Sequence, residues 1–308
     1  MTRELQREQT SLSWTDPLPG PAIVTAWSPL AEQDHRFVCM KSRIAGAVPP
    51  HMHARHHLGV VEQGTATLRS EGRQWQVRAG DVIWHVPRQI HAISSDHCRC
   101  RWIAVDEDSM SQLMLAGGTR GPEETRVFAD SALAAGFLEV HRGFERGAVT
   151  RSAADTLSSL ISALSAMCVD KAVPPSLPTS AVERCRLEIR NGYVGTLQLV
   201  DLARTVGMSL FHLARMFAAA LNVPPHTYML HLRVAWAQTL LRRGFSGSRA
   251  AYETGFADQS HCIRVHRRLL GLSPFGALAL EKQLPLRADD FAHLAGSAIH
   301  GAALLLQP

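Results

Sequence analysis

From residue 35 to 106, apolar and polar positions alternate in short runs. "LGVVEQGTATL" and "RQWQVRAGDVIWHVP" carry β-branched and aromatic residues between turns marked by Gly or Pro. The pattern predicts short strands closing into a small sandwich or barrel. The period then changes. In "DTLSSLISALSAMCVDKA", Leu157, Leu160, Ile161, Leu164 and Met167 recur at helical spacing, giving a helix that covers the barrel's edge or meets a second copy of the chain. "VPPSLPTS" (173–180) places three prolines in eight residues, which cannot continue a helix and reads as a linker. Beyond it the pattern is helical to about residue 283, followed by a tail at 284–308 with no assigned role.

The helical part contains the same design twice. Leu199, Leu202, Ala203 and Val206 form one amphipathic helix, Gly207 ends it, and Ser209 caps a second whose inner face is Leu213 and Phe217. Helix, tight glycine turn and helix make a helix-turn-helix, with Phe211, His212 and Arg215 turned outward. Lower down Gly255 is the turn. Asp258 or Ser260 then caps a helix carrying Gln259, His261, Arg264, Arg267 and Arg268. Between the two lies a long helix opened by Pro224 and Pro225 and closed by Gly244. At about 1.5 Å per residue it spans roughly 28 Å, near the roughly 34 Å between successive major grooves on one DNA face.

Charge sharpens this picture. The whole chain of 308 residues carries +5, yet residues 181–283 alone hold 13 Lys and Arg against 6 Asp and Glu, a net of +7. A basic domain beside a nearly neutral remainder is the footprint of nucleic-acid binding. The N-terminal residues contain no apolar leader, and no run approaches the roughly 20 apolar residues of a membrane span, so the expectation is a soluble, cytoplasmic protein without membrane contact. Six scattered cysteines form no disulfide framework; Cys98 and Cys100 share a strand face and are expected to be small buried side chains.

Residues 181–283 resemble the DNA-binding domain of AraC/XylS transcription regulators, through "LARTVGMSLFHLARMF", "NVPPHTYMLHLR" and "GFADQSH" followed by "RLLGLSP". The resemblance implies base-facing roles for Phe211, Ala214 and Arg215 in the first recognition helix and for Gln259, Ser260 and Arg264 in the second. It places Arg267 and Arg268 near phosphate; His212 and His261 share the outward faces. Arg and Gln suit bidentate reading of guanine and adenine in the major groove. The chain departs from the family pattern at Cys262, where a larger apolar residue is usual, and at His266, where a core Phe is usual. Trimming a buried Phe costs about 3–5 kcal/mol, so the second motif is expected to be underpacked and His266→Phe to stabilise it.

Residues 40–106 resemble the cupin-type sensor that often precedes this DNA-binding domain, through "PPHMHARHHLGVVEQGTATL" and "RAGDVIWHVPRQIHAI". A metal-binding cupin offers two His spaced H-x-H, a further ligand four positions on, and a last His after a Gly-Asp…Pro stretch. The resemblance maps these onto His51, His53, His57 and His91, with His57 where the pattern has Glu. Strand geometry agrees: positions 51, 53 and 57 face one way, and His91 arrives from a neighbouring strand. Four imidazoles suit Zn, Ni, Cu, Mn or Fe; a dry pocket for a small organic effector uses the same residues as donors. His56 has the opposite parity, and His85 and His97 are expected at the surface or in structural hydrogen bonds.

The expected architecture is therefore α+β in two domains. A cupin-like β-barrel with helices (1–172), a linker (173–180) and an all-α domain with two helix-turn-helix motifs (181–283) precede the tail. The expected function is a non-enzymatic, ligand-responsive transcription regulator. Its expected partners are promoter DNA, a metal or small-molecule effector, a second copy of itself and RNA polymerase. The rival is a metal-dependent cupin oxygenase or isomerase, for which Glu62 would be the nearest acid or base.

Overall fold

The computed structural model describes residues 22–27, 37–146, 151–169, 180–195, 197–270 and 273–283. The linker (except Ser180) and the tail lie outside this set. The N-terminal part is one antiparallel sheet of seven strands: β1 (Ala22–Trp27), β2 (Phe37–His51), β3 (His56–Ser70), β4 (Arg73–Arg78), β5 (Asp81–His85), β6 (His91–Val105) and β7 (Arg126–Ala129). The order is β1-β2-β6-β3-β5-β7, with β4 paired to β3 as a hairpin. The strands β2, β3 and β6 are 15 residues long and cannot stay flat at that length. Register shifts between Ile44 and Gly46, Val48 and His51, Val61 and Gln63, and Thr65 and Thr67 bend them until the sheet curls on itself.

Strand alternation then sorts two cores. The inner face carries Val38, Met40, Ile44, Val61, Leu68, Ile83, Cys98, Cys100 and Trp102. The outer face carries Cys39, Leu58, Val60, Val82, Trp84 and Ile103. On it pack α1 (Glu107–Ala116), α2 (Ser131–Glu145) and α3 (Arg151–Val169). Leu157, Leu160, Ile161 and Leu164 of α3 all lie in that outer core, each worth about 1.5–3 kcal/mol of burial, so the helix serves as the barrel's cover. Cys98 and Cys100 are fully buried on one face, Sγ to Sγ 3.5 Å, as small core side chains.

The helical part comprises α4 (Ala181–Gly192), α5 (Leu199–Thr205), α6 (Leu210–Leu221), α7 (Pro225–Arg242), α8 (Gly247–Glu253), α9 (Gln259–Leu270) and α10 (Pro274–Gln283). It opens at Ser180, whose hydroxyl accepts from the Glu183 amide. The helix α7 is the spine. Its Tyr228, Met229, Leu232 and Ala235 join the first helix-turn-helix core, and its Leu230, Val234 and Ala237 join the second. Arg233 ties both motifs to this spine: its guanidinium donates to the carbonyls of Tyr193 (2.6 Å), Gly195 (3.2 Å) and Gly255 (2.6 Å).

The structure gives a different account of the departure at His266 from the expected loose packing. Cys262 and His266 are both buried, and His266 is satisfied: the Gln238 amide of α7 donates to its Nε2 at 3.0 Å. A polar pair stands where the resemblance implies an aromatic side chain, with its partner 28 positions away in sequence. His266→Phe is therefore expected to lower the melting temperature, because it strands a buried amide at a cost of about 1–3 kcal/mol. The double variant Gln238→Leu/His266→Phe is expected to recover most of the loss in the same thermal melts.

Candidate effector site and nucleic-acid interface

Two short connections form the mouth of the barrel. One joins β2 to β3 through residues 52–55, the other joins β5 to β6 through 86–90, and the Arg88 amide donates to the His53 carbonyl at 2.8 Å. Each connection is flanked by histidines whose parity turns them inward. His57 pairs across the sheet with His85, and His51 with His91. The rings of His53 and His57 stack at 3.5 Å and those of His85 and His91 at 4.1 Å; His51 lies 4.2 Å and His53 4.8 Å from His91. His51, His53, His57 and His91 thus come together, and all are buried.

His85 is a fifth member of the cluster, beyond the hydrogen-bonded role expected of it, which it fills with Thr125 at 3.4 Å. It shares parity with Ile83 on β5, a signal present in "DVIWH" but outside the metal-cupin pattern. Its ring also stacks on Trp102, 5.6 Å away, whose indole donates to Ser42 and forms the site's floor. A side chain at Gly59 would fall inside the Trp102 ring, so glycine is required there. His56 points to the outer face, accepting from the Trp84 indole at 3.1 Å, and His97 is exposed.

The hydrogen bonds fix the proton positions. His51, His53 and His91 place Nδ1 against the carbonyls of Pro49 (2.8 Å), Arg55 (2.9 Å) and Gln89 (3.0 Å). A carbonyl only accepts, so these Nδ1 atoms carry the hydrogen and each Nε2 holds a lone pair. The Nε2 atoms of His53 and His57 are buried without a hydrogen-bond partner. Burial first, and the neighbouring imidazoles second, hold His53, His57 and His91 well below the usual histidine range and His85 at about 3. Among the described residues, no three side chains are already gathered around a common ion; the rings lie on one another instead.

Glu62, the acid closest in sequence, lies on the other face of β3. It is held by Arg101 (2.9 Å) and Arg142 (3.0 Å); although burial would raise its carboxyl, these hydrogen bonds hold it below the usual range. It is an anchor for α2, not a proton carrier for the histidines.

On the DNA side, Gly207 (φ 70°) and Gly255 (φ 78°) make the two turns in the left-handed region. A side chain at Gly255 would also overlap the Val194 carbonyl. Ser209 accepts from the His212 amide and Asp258 from the His261 amide, so of the two expected caps Asp258 is the one used. With Leu213 and Phe217 fully buried, α6 presents Phe211, 77% exposed, and Arg215, with His212 and Ala214 half-buried beside them. On α9, Ser260, Arg264, Arg267 and Arg268 are exposed; Gln259 and His261 are half-buried, the latter edge-on to Phe256. No helix among the described residues is long and apolar enough to cross a membrane.

A curled antiparallel sheet enclosing a histidine cluster, joined to two helix-turn-helix units on one spine, defines a ligand-responsive DNA-binding transcription regulator. Residues 43–161 match the AraC-like ligand binding domain and residues 202–276 a helix-turn-helix domain. The chain belongs to the AraC-type transcription regulators. It is 28% identical over 223 residues to the uncharacterized HTH-type transcriptional regulator YbfI of Bacillus subtilis, covering 69% of this chain and 80% of that one. It is 27% identical over 233 residues to the MmsAB operon regulatory protein of Pseudomonas aeruginosa, covering 72% and 74%. Among solved structures it is similar to ToxT from Vibrio cholerae, at 14% identity and a TM-score of 0.46, over 86% of this chain and 99% of that one.

Two outcomes are expected. Arg215→Ala should weaken specific DNA binding by about 1–3 kcal/mol in mobility shifts, with unchanged affinity removing it from the reading set. Stability should depend on pH with a definite sign. The imidazoles of His53, His57, His85 and His91 are neutral when folded and protonate near 6.5 when unfolded, so the unfolded state binds more protons below that pH. Urea melts should show stability falling as pH drops from about 6.5 towards 3.

Proposed function

We propose that the effector of this regulator is a divalent transition metal ion (Zn, Ni, Cu, Mn or Fe) held by His51, His53, His57 and His91, with His85 as an additional donor. The observation that carries this reading is the pair of buried, unpartnered Nε2 atoms on His53 and His57. A buried ring nitrogen without a partner costs about 1–3 kcal/mol, and a metal ion satisfies the lone pair directly. Backbone carbonyls on Nδ1 are the usual outer support of metal-ligating histidines, fixing tautomer and ring direction. An all-imidazole set favours borderline metals over Mg or Ca. Bound there, the ion would supply a positive centre that draws neutral imidazoles into convergence.

An organic effector is the second reading, with Ser42 and the same imidazoles as donors, but the side chains that face the barrel interior, Met40 and Trp102 among them, are largely apolar. The enzyme reading loses its acid or base in Glu62. The regulator reads promoter DNA with Phe211, His212, Ala214 and Arg215 of α6 and with Gln259, Ser260, His261, Arg264, Arg267 and Arg268 of α9. It works in the cytoplasm as a homodimer, with RNA polymerase as a further partner.

Elemental analysis of the chelator-stripped and reloaded protein tests the metal. His57→Ala should lower affinity by more than the roughly 10–100-fold that loss of an outer supporting residue costs. His56→Ala, one position away on the opposite face, should retain wild-type metal content. Equal metal in the two variants, or none in the wild type after reloading, would exclude a metal effector.

A further inference from the structure

The barrel mouth does not open to solvent; it lies against the DNA-binding domain. Met52, Ala54 and Ile90, from the two connections that carry the histidines, share one apolar cluster with Leu213, Phe217, Tyr228, Met229 and Leu232. His231 on α7 is buried as well. Arg88 lies over the Trp236 ring, 5.5 Å away, while pairing with Glu107 at 2.5 and 2.6 Å.

One polar contact across this boundary stands out. Glu71, at the tip of the β3–β4 hairpin with φ 45°, has a side chain only 8% exposed. It accepts from Arg186 of α4 and from the Tyr228 hydroxyl of α7 (2.9 Å), with Arg190 at 3.6 Å. The next residue, Gly72, approaches the Ala220 carbonyl of α6, the first recognition helix. Arg243–Asp108 also crosses the boundary, but it is largely exposed and such pairs are worth about 0–1 kcal/mol. Beside Glu71 runs a cleft of about 590 Å³, lined by Arg186 and Met216 on one wall and by Ser70, Gln89 and Thr125 on the other. Those last residues support the cluster itself: Thr125 bonds His85 and the Gln89 carbonyl holds His91.

We propose that the docked DNA-binding domain is the lid of the histidine site, that Glu71 is its latch, and that effector binding and docking exclude each other. This rests on the reading of the cluster as the effector site. Stacked imidazoles direct their in-plane lone pairs along parallel lines, so two of them cannot meet at one ion until a ring turns. Turning His53 disturbs the 52–55 connection that carries it, and Met52 and Ala54 of that connection pack against α7. Release of the latch also returns Arg186 and Arg190 from Glu71 to the domain's positive field, which strengthens its attraction to DNA. Coupling is reciprocal, so a weakened latch must both free the reader and open the site.

The test compares full-length, metal-free wild type, Glu71→Ala and Tyr228→Phe. Three measurements are made: the radius of gyration by small-angle scattering, affinity for a mixed-sequence DNA duplex, and the rate of zinc uptake. Glu71→Ala should increase the radius, tighten DNA binding about tenfold, in the range of ordinary allosteric couplings, and accelerate zinc uptake. Tyr228→Phe, which removes one bond to Glu71 and keeps the ring, should shift each reading the same way by less. A Glu71→Ala protein with unchanged radius and unchanged DNA affinity overturns the latch, as do opposite shifts in the two variants. If neither protein takes up zinc while Glu71→Ala still opens and binds DNA more tightly, the latch stands and the metal assignment falls alone.

Discussion

Only four residues, Met52 to Arg55, separate the end of one 15-residue strand from the start of the next. Strands of that length run to about 50 Å when straight, so so short a connection forces the sheet to fold back on itself. The bulges in β2, β3 and β6 are where it does so. Closure of the sheet brings the second connection, 86–90, beside the first, and the four histidines that flank the two connections meet His53 from within the first. The polar interior at the mouth is thus a result of chain geometry as much as of composition. It is maintained because burial keeps His53, His57, His85 and His91 neutral, while His51, His53 and His91 donate to local carbonyls.

The same two connections do a second job. Their apolar residues, Met52, Ala54 and Ile90, complete the core of the first helix-turn-helix. Sensor and reader are joined through residues one position away from the histidines, leaving little distance over which a change at the cluster could dissipate. Apolar packing supplies contact without orientation, whereas the bonds from Arg186 and Tyr228 to Glu71 specify one relative placement of the two parts.

Much of this was legible in the sequence because its signals are local. Gly207 with Ser209, and Gly255 with Asp258, announce turns and caps within a few residues, and the parity of His51, His53 and His57 separates them from His56. What was hidden depends on partners distant in sequence. His266 reads as a defect in sequence although Gln238 stands opposite it, and the partners of Glu71 lie on α4 and α7, more than a hundred positions on. Arg233 holds two turns through carbonyls 40 and 22 positions away, a role with no local signal. His85 is an intermediate case: it shares the inward parity of Ile83, but its position lies outside the metal-cupin pattern.

The spine helix α7 carries a mechanical consequence. Its 18 residues are buried along most of their length, with the barrel mouth against its N-terminal half and a helix-turn-helix unit on either side. A continuous helix of about 27 Å behaves as a stiff lever. A tilt of about 10° around its middle would carry each end roughly 2 Å in opposite directions, against the roughly 3.4 Å step between neighbouring bases. A small rotation at the sensor would therefore be amplified into a phase error between the two recognition helices, so that one helical rod decides whether both can sit in register on the same duplex.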